Sequence, residues 1–144
     1  MASRLSREMS GAECRALLES QRVCVVSLVD GEEPYGVPVF YGLGADVLVF
    51  GLSEGRKTRV LDGNARVCVT IVDVQPDGMW RSVQVQGRAE SLTSDADRAA
   101  AIETLKAHNR RLGHAPPSGG GHRPVAPGRL VRVATTSVSG RARA

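Results

Sequence analysis

Residues Val47 to Leu61 read VLVFGLSEGRKTRVL, and the reading of the whole chain turns on them. The apolar run Val47 to Phe50 has strand character and ends in Gly51. Leu52, Ser53, Gly55, Arg56 and Lys57 follow, and a short amphipathic helix is expected over Glu54 to Leu61. A strand that brings a hydroxyl, a flexible backbone and two adjacent cations to the start of a helix suits a phosphate. The first turn offers N–H groups without helical partners, the dipole is positive there, and the cations add charge. A lone Arg-Lys pair more often marks a solvated helix start. The preceding Ser53 and Gly55 tip this one towards phosphate contact, with Arg supplying a two-pronged fork.

Upstream, Tyr35, Val37, Val39 and Tyr41 alternate on one face of a strand. Pro38 lies inside that run, which argues for an edge position or a local loss of ladder bonding, where a ligand can meet the backbone. Gly42 to Asp46 is expected to turn the chain into Val47. Further back, Val23 to Val29 reads as a strand buried on both faces, joined to its neighbour by an Asp30-Gly31 hairpin. Ser10 with Glu13 makes a capping box for a helix over Ser10 to Gln21, with Cys14, Leu17 and Leu18 as its apolar stripe.

Downstream, Gly63-Asn64 stops the short helix, and Arg66 to Val72 is a strand. Met79 to Leu92 alternates, with Trp80, Ser82, Gln84 and Gln86 on one face and Val83 and Val85 on the other. Gly87 marks a bulge or a close backbone approach. Ser94 and Asp97 cap a helix from Asp95 to about Leu112, with a stripe of Ala101, Ile102 and Leu105. Gly113 to Gly128 reads as a Pro/Gly-rich loop, and Arg129 to Val138 as the last strand. Six short strands joined mainly by hairpin-scale turns predict a mainly β fold with flanking helices: an antiparallel barrel rather than a parallel sheet.

The chain has 144 residues, enough for one domain with a real core. With one Trp, two Tyr and two Phe, that core must be built of Val, Leu and Ala. The net charge of +4 is mildly basic, yet no basic stripe with interleaved aromatics is visible, so nucleic acid is not the expected partner. No apolar run approaches a membrane span, and MASRLSREMSG lacks the apolar stretch of a signal peptide. Cys14, Cys24 and Cys68 are an odd set without CxxC spacing and read as small buried hydrophobes in a reducing cytoplasm. His108, His114 and His122 do not have a zinc spacing and read as exposed loop histidines. Neither the G-x-G-x-x-G nor the P-loop fingerprint is present.

The ordered set LSREMSGAECRALLES, VCVVSLVDGEEPYGVPVFY, VLVFGLSEGRK, NARVCV, WRSVQVQGRAE and VRVATTSVSGRAR resembles the FMN-binding split β-barrels related to pyridoxamine-phosphate oxidase. Within them it is closest to the nitroimidazole-resistance reductases. The resemblance spans nearly the whole chain. It implies a six-stranded split barrel, a homodimer, and two FMN sites in clefts at the subunit interface. It places the backbone of Val37, Pro38, Val39 and Phe40 along the isoalloxazine ring, with Phe50, Gly51 and Leu52 near the ring and ribityl chain. Ser53, Arg56 and Lys57 would hold the phosphate, and Arg81 and Ser82, on the strand of Trp80, would reach the flavin from the second subunit. An aromatic such as Trp80 more often serves a core or a subunit interface than a stacked ring.

Two departures limit what is carried over. The nitroimidazole-resistance reductases usually place a His just after the aromatic that Phe50 matches, and here Gly51 stands there. Ser82 replaces a longer polar residue of the pyridoxamine-phosphate oxidases, whose substrate-binding tail is not recognisable, so vitamin B6 chemistry is not expected. No catalytic acid is nominated. The expected function is an FMN-dependent oxidoreductase using a nicotinamide reductant and a small electron-poor acceptor. A non-enzymatic flavin- or heme-binding protein and a deazaflavin-dependent reductase stand as alternatives.

Overall fold

The computed structural model describes residues 5–113 and 128–144. The expected loop over Gly113 to Gly128, with His114 and His122, falls almost wholly outside them. Ser10 caps α1 (Gly11–Ser20) as the capping box predicts: its hydroxyl accepts from the Glu13 N–H at 3.1 Å, and the Glu13 carboxylate accepts from the Ser10 N–H at 3.0 Å. Cys14, Leu17 and Leu18 are buried along one stripe. The chain then runs through β2 (Val23–Asp30), β3 (Glu33–Leu43) and β4 (Val47–Leu52), after a short β1 (Ser6–Glu8) ahead of α1. Helix α2 (Arg56–Gly63), β5 (Arg66–Val74), β6 (Trp80–Arg88), β7 (Glu90–Ser91), α3 (Asp95–Arg111), β8 (Arg129–Ala134) and β9 (Val138–Arg143) complete the order.

The strands are antiparallel in the order β1-β9-β6-β5-β2-β3-β4-β8-β7. This is the expected split β-barrel, with its pieces cut differently. The expected last strand is two strands, β8 against β4 and β9 against β6, separated by Thr135 to Ser137. The expected strand from Met79 is also two, β6 on β5 and β7 on β8. Each of these chain segments leaves one sheet and joins the other, which curls the sheets around a common core. Gly87 makes the close approach: a Cβ there would lie 3.3 Å from Val133 Cγ1.

Inside lie Cys24, Val26, Leu28, Val37, Tyr41, Phe50, Val69, Ile71, Val83, Val85, Val131 and Val133, all buried. Strand β2 departs from expectation. It alternates instead of being buried on both faces, and Val23, Val25 and Val29 are 47%, 40% and 45% exposed. Gly42 lies within β3 and not in a turn; α3 crosses it so closely that a Cβ would meet Leu105 Cα at 2.8 Å.

Helix α3 turns its predicted stripe inwards except for one residue, with Leu105 packed against the cluster of Val49, Leu92, Ala101 and Leu130. Ala101 is buried and Ile102 is exposed. His108, expected in an exposed loop, is fully buried in the helix with Nε2 2.7 Å from the Gln21 carbonyl. Its ring lies 5.0 Å from that of Tyr41. Tyr41 is also fully buried and donates to the Leu18 carbonyl at 2.6 Å, near the end of α1. Of the cysteines, Cys14 and Cys24 are buried and Cys68 is half-buried.

Candidate functional site

Strand β3 changes partners along its length. Glu33 to Phe40 pairs with β2, and only Tyr41 to Leu43 pairs with β4. The other edge of residues 33–40 therefore has no strand partner among the described residues. The Tyr41 N–H donates to the Arg22 carbonyl, so the odd residues of β3 bond to β2 and the even ones direct their backbone groups to the open edge. Pro34 and Pro38 bring no N–H to that edge, which is what an unpaired edge tolerates. Gly36 and Phe40 supply its N–H donors, and Pro34, Gly36 and Pro38 supply carbonyl acceptors.

The end of β4 opens onto this edge. Phe50 and Leu52 are buried in the barrel, so only their backbone, with that of half-buried Gly51, faces the cleft. Val37 is likewise a core side chain and Val39 packs against the core, while Pro38 and Phe40 face outwards. Ser53 and Gly55 then lead into α2. Gly55 is the N-cap, at φ 152° and ψ −143°, a region open to glycine alone. It has no side chain to accept from the helix N–H groups. The Thr58 hydroxyl serves the cap backbone instead, accepting from the Gly55 N–H at 3.1 Å and donating to its carbonyl at 3.0 Å.

Two cations occupy the first two helical positions, where the dipole disfavours positive charge. They differ in surroundings. Lys57 Nζ lies 3.1 Å from the Ser53 hydroxyl and meets no carboxylate among the described residues. Arg56 is held by Asp30 at 3.0 Å and Glu33 at 3.4 Å, and its guanidinium covers the Tyr35 ring at 4.2 Å. These partners lie 26 and 23 residues away, so no local spacing announced them. Behind the helix, Arg129 ties α2 to β8, bonding Asp62 at 2.6 Å and approaching Glu54 at 3.6 Å. The donor set fits a phosphate: a hydroxyl, an ammonium and first-turn N–H groups converge beside an open strand edge.

Val37, Pro38, Val39, Phe40, Phe50, Gly51, Leu52, Ser53, Arg56 and Lys57 are thus brought together. Trp80, Arg81 and Ser82 are not. Pro38, Val25, Thr70 and Gln84 form one cross-strand row, so β6 stands three strand spacings from β3, about 14 Å. The three residues also divide between faces. Trp80 and Ser82 share the outward face with Gln84, whereas Arg81 turns to the barrel mouth and pairs with Asp73 at 2.7 Å. Trp80 and Arg81 line a small cavity of about 130 Å³ there with Arg7 and Arg143. Among the described residues no cluster of His, Cys, Asp or Glu is placed to hold a metal ion, and no helix is long and apolar enough to cross a membrane.

A curled antiparallel barrel with an anion-suited helix start beside an unpaired strand edge defines a split-barrel class of binding proteins. The profile of the pyridoxamine 5'-phosphate oxidases matches residues 10–142, and the chain belongs to that family. An FAD-binding protein of Mesorhizobium loti has a similar structure, with a TM-score of 0.76 and 28% identity, covering 97% of this chain and 99% of that one. A putative 5-nitroimidazole antibiotic resistance protein of Bacteroides thetaiotaomicron shares the fold, with a TM-score of 0.77 and 19% identity, covering 95% of this chain and 87% of that one. An uncharacterised protein of Rhizobium meliloti is 27% identical over 86 residues, which is 60% of this chain and 57% of that protein's length.

Proposed function

We propose that this protein is a homodimeric flavin-binding oxidoreductase that takes the FMN moiety, as FMN itself, in the cleft between the open edge of β3 and the start of α2. The observation that carries this is the pairing of Lys57 with Ser53 at an uncapped helix start, directly beyond an unpaired strand edge. The flavin-binding relative supports it, being similar over the whole length of both chains.

The phosphate would meet Ser53, Lys57 and the first N–H groups of α2. The pyrimidine edge of a flavin alternates carbonyls and a ring N–H, which complements the backbone donors and acceptors of Gly36 to Phe40. Gly51 leaves room for the ring, because Phe50 and Leu52 are turned inwards. A second copy, docked through the outward sheet face, would bring its Trp80 and Ser82 to the open side and exclude water. Bound flavin supplies hydride and electron transfer, and the protein supplies binding, orientation and electrostatics. The proposed reaction passes electrons from a nicotinamide cofactor to a small electron-poor acceptor.

One observation favours a second reading. Gly36, Pro38, Phe40 and Gly51 bring no proton-donating side chain to the ring position. A flavin carrier without turnover needs none.

The test is the absorption spectrum of the purified protein, with the cofactor released by heat and identified, followed by nicotinamide oxidation assays. A two-band flavin spectrum, released FMN and acceptor-dependent turnover are expected. Released FAD would retain the cleft and change the cofactor. Deazaflavin or a Soret band would move the protein to one of the other cofactors. Bound flavin without turnover would select the carrier reading, and a colourless protein that FMN does not reconstitute would sink the proposal.

A further inference from the structure

Arg56 is the first residue of α2, and it does not face the phosphate position unencumbered. Its Nε donates to Asp30 Oδ2 at 3.1 Å, and Nη2 reaches Asp30 at 3.0 Å and Glu33 at 3.4 Å. The Tyr35 ring lies under the guanidinium at 4.2 Å. Asp30 and Glu33 are direct cross-strand partners at the tip of the β2–β3 hairpin, closed by Gly31 at φ 63°. Two carboxylates facing each other across a ladder repel, so this tip needs a cation between them. Arg56 supplies it. Lys57, one position along, has no such partner among the described residues, where its polar contact is the Ser53 hydroxyl.

We propose that Asp30 and Glu33 act as a built-in counter-anion that competes with the ligand's phosphate for Arg56 and so sets how tightly the cleft holds a phosphate-bearing ligand. This rests on the flavin reading above. A phosphate that recruits Arg56 must strip it from the hairpin tip and leave two carboxylates facing each other close by. The acidic tip therefore opposes binding of the charged end while leaving the ring end of the cleft untouched. Asp30 and Glu33 are specificity-determining residues in this sense: they narrow the advantage of FMN over uncharged riboflavin.

The experiment is fluorescence titration of FMN and riboflavin into the wild-type protein, Asp30→Asn, Asp30→Asn/Glu33→Gln, the same pair with Arg56→Ala, and Lys57→Ala. The turn itself is Gly31-Glu32, with Asp30 as the last residue of β2, so Asp30→Asn leaves both turn residues unchanged and preserves the tip. The double variant is expected to bind FMN about fivefold to tenfold more tightly, as exposed charge pairs allow, with riboflavin unchanged. Asp30→Asn alone should show a smaller gain, and Arg56→Ala on the double background should erase it. Unchanged or weaker FMN binding in both carboxylate variants overturns the competition. If Lys57→Ala still weakens FMN in that case, the flavin cleft stands without it. A wild-type protein that binds neither ligand overturns both.

Discussion

Lys57 has one polar neighbour, the Ser53 hydroxyl, and no carboxylate to neutralise it among the described residues. Its charge is therefore available to a ligand, and under the proposed flavin binding it would be the phosphate contact that matters most. A charge-assisted contact is worth about 1.5–3 kcal/mol, and partial exposure takes this one to the lower end. Lys57→Ala should weaken FMN binding about tenfold and leave riboflavin binding unchanged in a fluorescence titration. An equal loss for both ligands would place Lys57 away from the phosphate. In α3, His108 makes a separate case. Burial pushes its pKa below the ordinary value, with help from Arg111, while the bond to the Gln21 carbonyl and the charge of Glu19 oppose the shift. Below about pH 6.5 the unfolded chain takes up a proton that the folded chain resists, so this residue costs stability as pH falls through that value. Urea midpoints at pH 7.5 and 5.0 should fall less steeply in His108→Gln than in the wild type. Parallel slopes would show that His108 titrates alike in both states.

At the scale of elements, α3 is seated on β3 through Gly42, where the Leu105 backbone occupies the space of a Cβ. Gly42→Ala must push helix and strand apart. Overpacking of this kind costs about 1–3 kcal/mol, a fall of about 3–10 °C in melting temperature for a chain of this size. A melting temperature within about 1 °C of wild type would mean that the helix shifts freely. Elements whose signals are local were legible before folding: the Ser10–Glu13 capping box, the Asp30-Gly31 turn and the alternation of β6 all stand where they were read. Elements defined by what packs on them were not. Val23 to Val29 is apolar on both faces, yet only Cys24, Val26 and Leu28 reach the core. An apolar run signals dryness on both sides whether the second side is a core or a partner's surface. The crossing between β8 and β9 carries no Gly or Pro, so it read as one strand. Of the α3 stripe, Ala101 and Leu105 face the core and Ile102 does not, because the buried face continues through His108 and Asn109. In the candidate site, Ser53 and Lys57 announced themselves by spacing, whereas the hold of Asp30 and Glu33 on Arg56 exists only once the hairpin folds back to α2.

At the scale of the whole molecule, one sheet face is left uncovered among the described residues. Phe40, Val23, Val25, Val29, Val72 and Val74 point outwards across β3, β2 and β5, with Phe40 57% and Val74 66% exposed. So many β-branched and aromatic side chains on adjacent strands form a contiguous patch of the kind that marks an interface. The three strand spacings between β6 and β3 point the same way, because Trp80 and Ser82 face outwards and do not reach the open edge of β3 along one sheet. A second copy on the outward face would satisfy both at once. Light scattering should therefore give about twice the 15.3 kDa chain mass. Val25→Asp/Val72→Asp places two carboxylates on that face without touching the core, since both side chains are already exposed. The variant should stay folded by circular dichroism, run as a monomer and lose flavin affinity in the same titration, because each cleft would lack the residues its partner brings. A wild-type monomer that holds flavin tightly would show that the cleft is complete in a single chain and that the apolar face serves something else.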